Sequence, residues 1–314
     1  MDQSADGNII TIMATQAEPK ATTAPSPRPE ESAARSGQTT LRAILAAVFL
    51  VIGFWPILVG MYGSWFDPGA YMEHGILVIP AAAYMVWTKW DQLKTVPLRP
   101  SAWGFALVIC GALQAGLGEL AHWVWVSRVS FLVSLVGCMV LLYGWKMIQE
   151  TVYPLCTLLL MIAPPTFLLA RLTLSLQLLA SRLGEFCLEM FGYSVFREGN
   201  VLEMVGIKLS VEEACSGIRS LMAILFMAVL YNYFFVKGKS MKSLILLFSV
   251  PIAILGNAAR IVATGIAGQY DPSLAGGAAH ETMGYVSVAV AALGCMGMHI
   301  IMLSLQRFWR SRHA

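Results

Sequence analysis

Residues 211–235 read VEEACSGIRSLMAILFMAVLYNYFF. The second half is an unbroken apolar run of the kind that crosses a membrane, which takes about 20 mostly apolar residues. The first half places Glu212, Glu213, Cys215, Ser216 and Arg219 at its mouth. Ionisable groups are costly at the edge of a membrane span and mark functional positions there by default.

The rest of the chain agrees with a membrane reading. Its 314 residues are 57% hydrophobic and 12% charged, with a mean hydropathy of +0.68. A soluble protein carries about 25% charged residues. Apolar runs cover about 43–62, 74–90, 103–120, 129–147, 152–170, 216–236, 243–266 and 283–304. The sequence therefore predicts an all-α polytopic membrane protein with about eight transmembrane helices. Its partner is the lipid bilayer; a net charge of +3 is too small to point to nucleic acid. Residues 1–40 are rich in Ala, Ser, Thr, Pro and Gln, have no hydrophobic core and read as a disordered tail. Residues 41–314 form the membrane domain.

Lys and Arg set the orientation, because they accumulate in cytoplasmic segments. With a cytoplasmic N-terminus, fourteen of them fall inside, five fall outside, and Arg219 and Arg260 fall within spans. Both termini are then cytoplasmic. The long outer loop, 171–215, begins with RLTLSLQLLASRLGEFCLEMFG. Here Leu172, Leu176, Leu179, Leu183, Phe186, Cys187 and Met190 share a stripe, while Gln177, Ser181, Arg182, Glu185 and Glu189 fall largely opposite. This predicts an amphipathic helix along the outer membrane surface. The next segment, SVFREGNVLEMVGIKLSV, alternates with Val201, Val205, Ile207, Leu209 and Val211 on one face. Glu198-Gly199-Asn200 reads as a turn, so a small β-hairpin leads towards Cys215.

This topology gathers chemistry at one membrane face. Cys215 begins the sixth span on the outside, and Arg219 follows one turn later. Arg260 lies near the outer end of the seventh span, in PIAILGNAARIVATG, one turn after Asn257. His280 immediately precedes the eighth span, in GGAAHETMGY, and His74 in MEHGILVIP is a further candidate at the same face. A helix start and a nearby guanidinium both lower a thiol pKa, whereas Glu212 and Glu213 oppose this. Thiol, histidine and cation together suit covalent acyl transfer: the thiolate attacks, the imidazole manages the proton and the guanidinium supports the oxyanion. Ser216 and Glu213 are supporting or substrate-binding candidates, and Gly217 permits close backbone approach. His299 and His313 lie towards the cytoplasmic side and read as structural.

The remaining cysteines carry no metal-ligand spacing. Cys110, Cys138, Cys156 and Cys295 read as small buried hydrophobes, and Cys187 could pair with Cys215 outside the cytoplasm. No metal or cofactor is expected. A different class of function, a transporter or polysaccharide-export component, would use Arg219 and Arg260 to bind an anionic group.

The chain resembles the exosortases, polytopic bacterial membrane enzymes related to the archaeosortases, over most of residues 50–305. The resemblance rests on EHGILVIPAAAYMVW, REGNVL, VEEACSGIRSL, PIAILGNAARIVATG and AAHETMGY, in that order. It implies that Cys215, Arg260 and His280 are catalytic in a transpeptidase-like cysteine protease of the bacterial inner membrane. It also implies exported protein substrates with a C-terminal tripartite signal: a short motif such as Pro-Glu-Pro, a transmembrane helix and a basic tail. Such enzymes accompany exopolysaccharide production. Neither the target motif nor the acceptor nucleophile follows from the sequence.

Overall fold

The structure, a computed structural model, describes residues 29–211, 217–271, 274 and 277–313. Of these, 29–36, 68, 277–281, 309, 310, 312 and 313 are described by their backbone alone. The expectations for Glu212, Glu213, Cys215 and Ser216 fall outside the described residues.

Helix α1 spans Pro29–Gly53, so the end of the predicted tail, 29–40, is helical. Pro29 at the first position and Glu30 and Glu31 in the first turn favour a helix start there, against the polar composition that suggested disorder. Helix α2 (Trp55–Trp65) departs at 70° from Gly37–Gly53. Pro56 is the cause: it has no N–H to donate, and its ring cannot pass the carbonyl four residues earlier.

A short turn, Pro68–Ala70, leads to α3 (Gly75–Thr88) and α4 (Trp90–Lys94). Then come α5 (Trp103–Leu120), α6 (Val124–Leu142) and α7 (Trp145–Leu158), the last followed by a 3-10 turn at Leu159–Met161. Helix α8 (Thr166–Met190) precedes strands β1 (Val195–Glu198), β2 (Val201–Met204) and β3 (Ile207–Ser210). Helices α9 (Ile218–Phe235), α10 (Lys239–Tyr270) and α11 (Gly277–His313) complete the order.

Among the described residues six helices, α5, α6, α8, α9, α10 and α11, are long and apolar enough to cross a membrane, and a seventh is counted if the bent α1–α2 pair is one broken span. The all-α membrane fold stands, but eight uninterrupted spans do not. The run 74–90 forms only the 14-residue α3. The run 152–170 is cut at Ile162, which is extended, and Pro164-Pro165 keep it cut, since the residue before a proline, here Ala163, is pushed out of the helical region.

Helix α8 inherits the apolar end of that broken run. Its orientation differs from the predicted stripe. Thr173, Gln177, Ser181 and Gly184 are buried, whereas Leu179, Phe186 and Met190 face outward. Leu172 and Leu176 still pack into the core. In water the apolar face would turn inward; beside lipid, the polar face turns to the protein, away from the hydrocarbon. Ser181 donates to the Gln177 carbonyl at 2.8 Å.

Helices α5 and α6 approach closely through small residues. Gly104, Gly111 and Gly118 recur every seven residues and are all buried. A Cβ at 104 would meet the Leu141 backbone nitrogen at 2.3 Å, and one at 111 the Ser134 hydroxyl at 2.1 Å. Such small-residue seams let membrane helices associate through backbone contact.

The predicted hairpin is a three-stranded antiparallel sheet in the order β1-β2-β3. The turn at Gly199-Asn200 is present, and a second falls at Val205-Gly206. That second turn corrects the predicted face. Leu202 pairs with Leu209 and Met204 with Ile207, and directly paired residues share a face. The inward set is therefore Leu202, Met204, Ile207, Leu209 and Val211, so the predicted Ile207, Leu209 and Val211 do face inward, whereas Val205 is exposed. This face packs with Ala180 and Leu188 of α8 and Ile261 and Val262 of α10. Arg197 bridges to Glu185 of α8 at 2.6 Å. On the outer surface Lys208 pairs with Glu203, which raises the Lys208 pKa.

Two of the four cysteines read as buried are not. Cys295 is buried and Cys138 half-buried, whereas Cys110 and Cys156 are exposed on helices α5 and α7. Outward positions in a membrane bundle accept small apolar groups as readily as its core does. Cys187 is a free thiol in the cluster under the sheet.

Candidate functional site

The sheet delivers the chain to the start of α9. Asn200 accepts from the Val211 N–H at 2.9 Å through its carbonyl and donates to the Val211 carbonyl at 3.0 Å through its side chain. This double clamp fixes the point four residues before Cys215.

Beyond the undescribed residues, Gly217 caps α9 with a left-handed φ of 85°. A residue with that backbone cannot continue a right-handed helix. Helix α9 therefore starts at Ile218, and Arg219 stands in its first turn. The expectation for Cys215 at the helix start lies outside the described residues; α9 itself begins three residues further on. Gly217 also has no room for a side chain: a Cβ there would lie 2.8–3.2 Å from Asn257 side-chain atoms. Asn257 is only 2% exposed. The mouth of α9 is thus seated directly on α10.

Asn257 and Arg260 are three residues apart on α10 and share a face. The Arg260 guanidinium lies against Gly284 of α11, with Cζ, Nη1 and Nη2 at 3.5–3.7 Å from where a Cβ would be. One turn later, Thr264 reaches the Met283 sulfur at 3.3 Å. Position 280 is in the first turn of α11, not in a loop before it. It precedes Gly284 by four residues, one helical turn along the same face. Asn257, Arg260, Gly217 and the backbone at 280 thus converge from three helices.

Arg219 turns elsewhere. Its Nε lies 2.9 Å from the Glu73 carboxylate, and its guanidinium is 5.9 Å from the Tyr71 ring centre. Glu73 is a partner that the sequence reading missed; its place beside His74 in MEHG was the available signal. His74 itself is 9% exposed, with its ring 5.8 Å from that of Phe226. It is tied to the Arg219 side of the site through its neighbour Glu73. His299 is buried and hydrogen-bonds Tyr231 at 2.8 Å, in keeping with a structural role.

A second feature opens beside Tyr71. A cavity of about 290 Å³ is bounded by Tyr71, Thr166, Thr173 and Gln177. It shares Gly69, Thr166 and Leu169 with a neighbouring cavity of about 310 Å³ that includes Asp67, His122, Arg128 and Trp125.

No curated protein and no solved structure matches this chain. A family model described as transmembrane exosortase (Exosortase_EpsH) matches residues 65–297, a range that holds the sheet, Gly217, Arg219, Asn257, Arg260 and position 280. That range covers well over half of the sequence, and the chain belongs to the transmembrane exosortase family.

Proposed function

We propose that this protein is a cysteine-dependent transpeptidase acting at the outer face of a bacterial cytoplasmic membrane. Its substrates are exported proteins that end in a short motif, a transmembrane helix and a basic tail, sorted to the surface in connection with exopolysaccharide. One observation carries this reading: Asn257 and Arg260 on α10 bring the mouth of α9, two residues after Cys215, together with the α11 turn that holds position 280.

In this mechanism the Cys215 thiolate attacks the scissile carbonyl and forms a C–S bond. Arg260 offers a fixed cation to the oxyanion. His280 gives its proton to the departing amine as the C–N bond breaks. An acceptor nucleophile then attacks the thioester, returns a proton to His280 and releases Cys215. Asn257 holds the geometry between Gly217 and Arg260; Ser216, Glu213 and His74 support or contact the substrate.

Transport of an anion through Arg219 and Arg260 is the competing reading. The ion pair of Arg219 with Glu73 counts against it, since one of the two cations is already matched.

The test is processing of a tagged substrate in cells. Cys215→Ala and Cys215→Ser leave it uncleaved while each variant accumulates in the membrane at the normal level. Normal cleavage by either variant refutes the assignment.

A further inference from the structure

The confluent cavities beside Tyr71 are not used by the chemistry above. They meet at Gly69, Thr166 and Leu169, and the one beside Tyr71 runs along the first half of α8, from Thr166 to Gln177. That is about 16 Å of helix at 1.5 Å per residue, a length that an extended peptide covers in about five residues. One end of this trough is Tyr71, whose ring lies beneath Arg219 in the first turn of α9. The other end is walled by Trp123, Trp125, Pro164 and Arg128.

Arg128 gives that far end its chemistry. It is half-buried in the first turn of α6, and Nη2 donates to the Gly60 carbonyl at 3.1 Å, which fixes the guanidinium. Among the described residues it has no carboxylate within 4.0 Å. Asp67, on the same cavity, instead accepts from the Gly69 N–H at 3.0 Å. A guanidinium held in a partly enclosed pocket without a counter-ion is matched by a carboxylate, which it can bind through two parallel hydrogen bonds. The indoles beside it supply broad apolar contact at small entropic cost. The length of the trough, the stacking of Tyr71 at its near end against Arg219 of α9 and its alternation of apolar and polar wall favour an extended peptide over a compact sugar or lipid headgroup.

We infer that this trough is the substrate subsite, holding about five residues of extended chain next to the scissile bond, with Arg128 reading an acidic side chain at its far end. The inference rests on the acyl-transfer reading for the reason a peptide arrives, but its test needs no chemistry. Full-length Cys215→Ala protein in nanodiscs is titrated with capped pentapeptides that carry a Glu or a Gln at the terminal position that meets Arg128. The Glu peptide is expected to bind about tenfold or more tightly. Arg128→Gln removes that difference, Arg128→Lys retains part of it, and Asp67→Asn enlarges it.

A Glu preference that survives in folded Arg128→Gln protein overturns the assignment. So does competition by an oligosaccharide or an anionic lipid where the peptides fail to bind. A Glu peptide bearing a photoreactive flanking residue gives an independent readout: cross-links are expected at Trp123, Trp125 or the start of α8, and cross-links only elsewhere refute the site. If processing in cells proves independent of Cys215, the catalytic reading falls while the Arg128-dependent preference still stands or fails by itself.

Discussion

The Arg260 guanidinium rests on Gly284, with its terminal atoms 3.5–3.7 Å from the place a Cβ would take. That spacing is ordinary contact, so a methyl fits and a larger side chain does not. Gly284→Ala should process substrate at close to the normal rate. Gly284→Leu drives the guanidinium away and should lower the rate by about 10²–10³, the cost of losing one oxyanion donor. Measuring kcat with purified substrate decides it. Equal rates for the Leu variant and the parent protein would separate Arg260 from the chemistry.

Gly217 and Asn257 form the second close pair. Gly217→Ala meets two penalties: about 1–2 kcal/mol for a left-handed backbone, and overlap with Asn257 at 2.8 Å. Only the second is relieved by shortening Asn257. Gly217→Ala combined with Asn257→Ala should therefore be more stable in a detergent melting assay than additivity predicts, while its activity stays low. Strict additivity would show that the two residues do not touch.

Much of this arrangement was legible in the sequence, because a membrane span leaves few places for charge. Hydropathy and the Lys/Arg count put Arg260 and Asn257 near one end of their helix, and the fold sets Arg260 against Gly284 and Asn257 against Gly217. Hydropathy could not see where helices break. Pro164-Pro165 divide an apolar run that average hydropathy joins, and the left-handed Gly217 sets the start of α9 at Ile218. Nor could alternation alone place the sheet face, because the turn at Val205-Gly206 reverses its phase. Glu73 escaped notice because an acidic residue beside a loop histidine has no pattern; only the fold brings it to Arg219.

The Glu73–Arg219 pair is close but about half-exposed, with 45% and 42% of the two side chains accessible. Pairs of that exposure contribute about 0–1 kcal/mol. Glu73→Gln should shift the melting temperature little. Its effect belongs to the loop that carries Tyr71 and His74, so KM for substrate should rise while kcat holds. Exchanging the charges, Glu73→Arg with Arg219→Glu, should recover part of the lost affinity. A large stability loss with unchanged KM would make the pair purely structural.

The seam between α5 and α6 allows a sharper stability prediction. At Gly104 an added methyl meets backbone atoms of Leu141 and Gly137 at 2.3–2.6 Å, and backbone cannot rotate away. At Gly116 it meets nothing within 4 Å. Gly104→Ala should therefore destabilise the protein, by about 1–3 kcal/mol as for an overpacked core. Gly116→Ala should be neutral or slightly stabilising because alanine favours the helix. Comparing the two in one melting experiment controls for the change in propensity. Equal effects would mean that the helices are not in contact at Gly104.

The pH dependence of cleavage tests the roles of Cys215, His280 and Arg260 together. Activity that needs thiolate rises with pH through the thiol pKa; activity that needs imidazolium falls through that of the imidazole, and the product is a bell. Unperturbed values of about 8.5 for Cys and 6.5 for His stand in the wrong order for both forms to coexist. A neighbouring cation corrects this by stabilising the thiolate. Arg260→Gln should thus move the acid limb of kcat/KM to higher pH and lower the maximum, whereas Arg260→Lys should leave the limb near its original place. An acid limb that ignores Arg260→Gln would remove that residue from the thiol's surroundings. A flat profile between about pH 5 and 9 would remove His280 from the proton transfer.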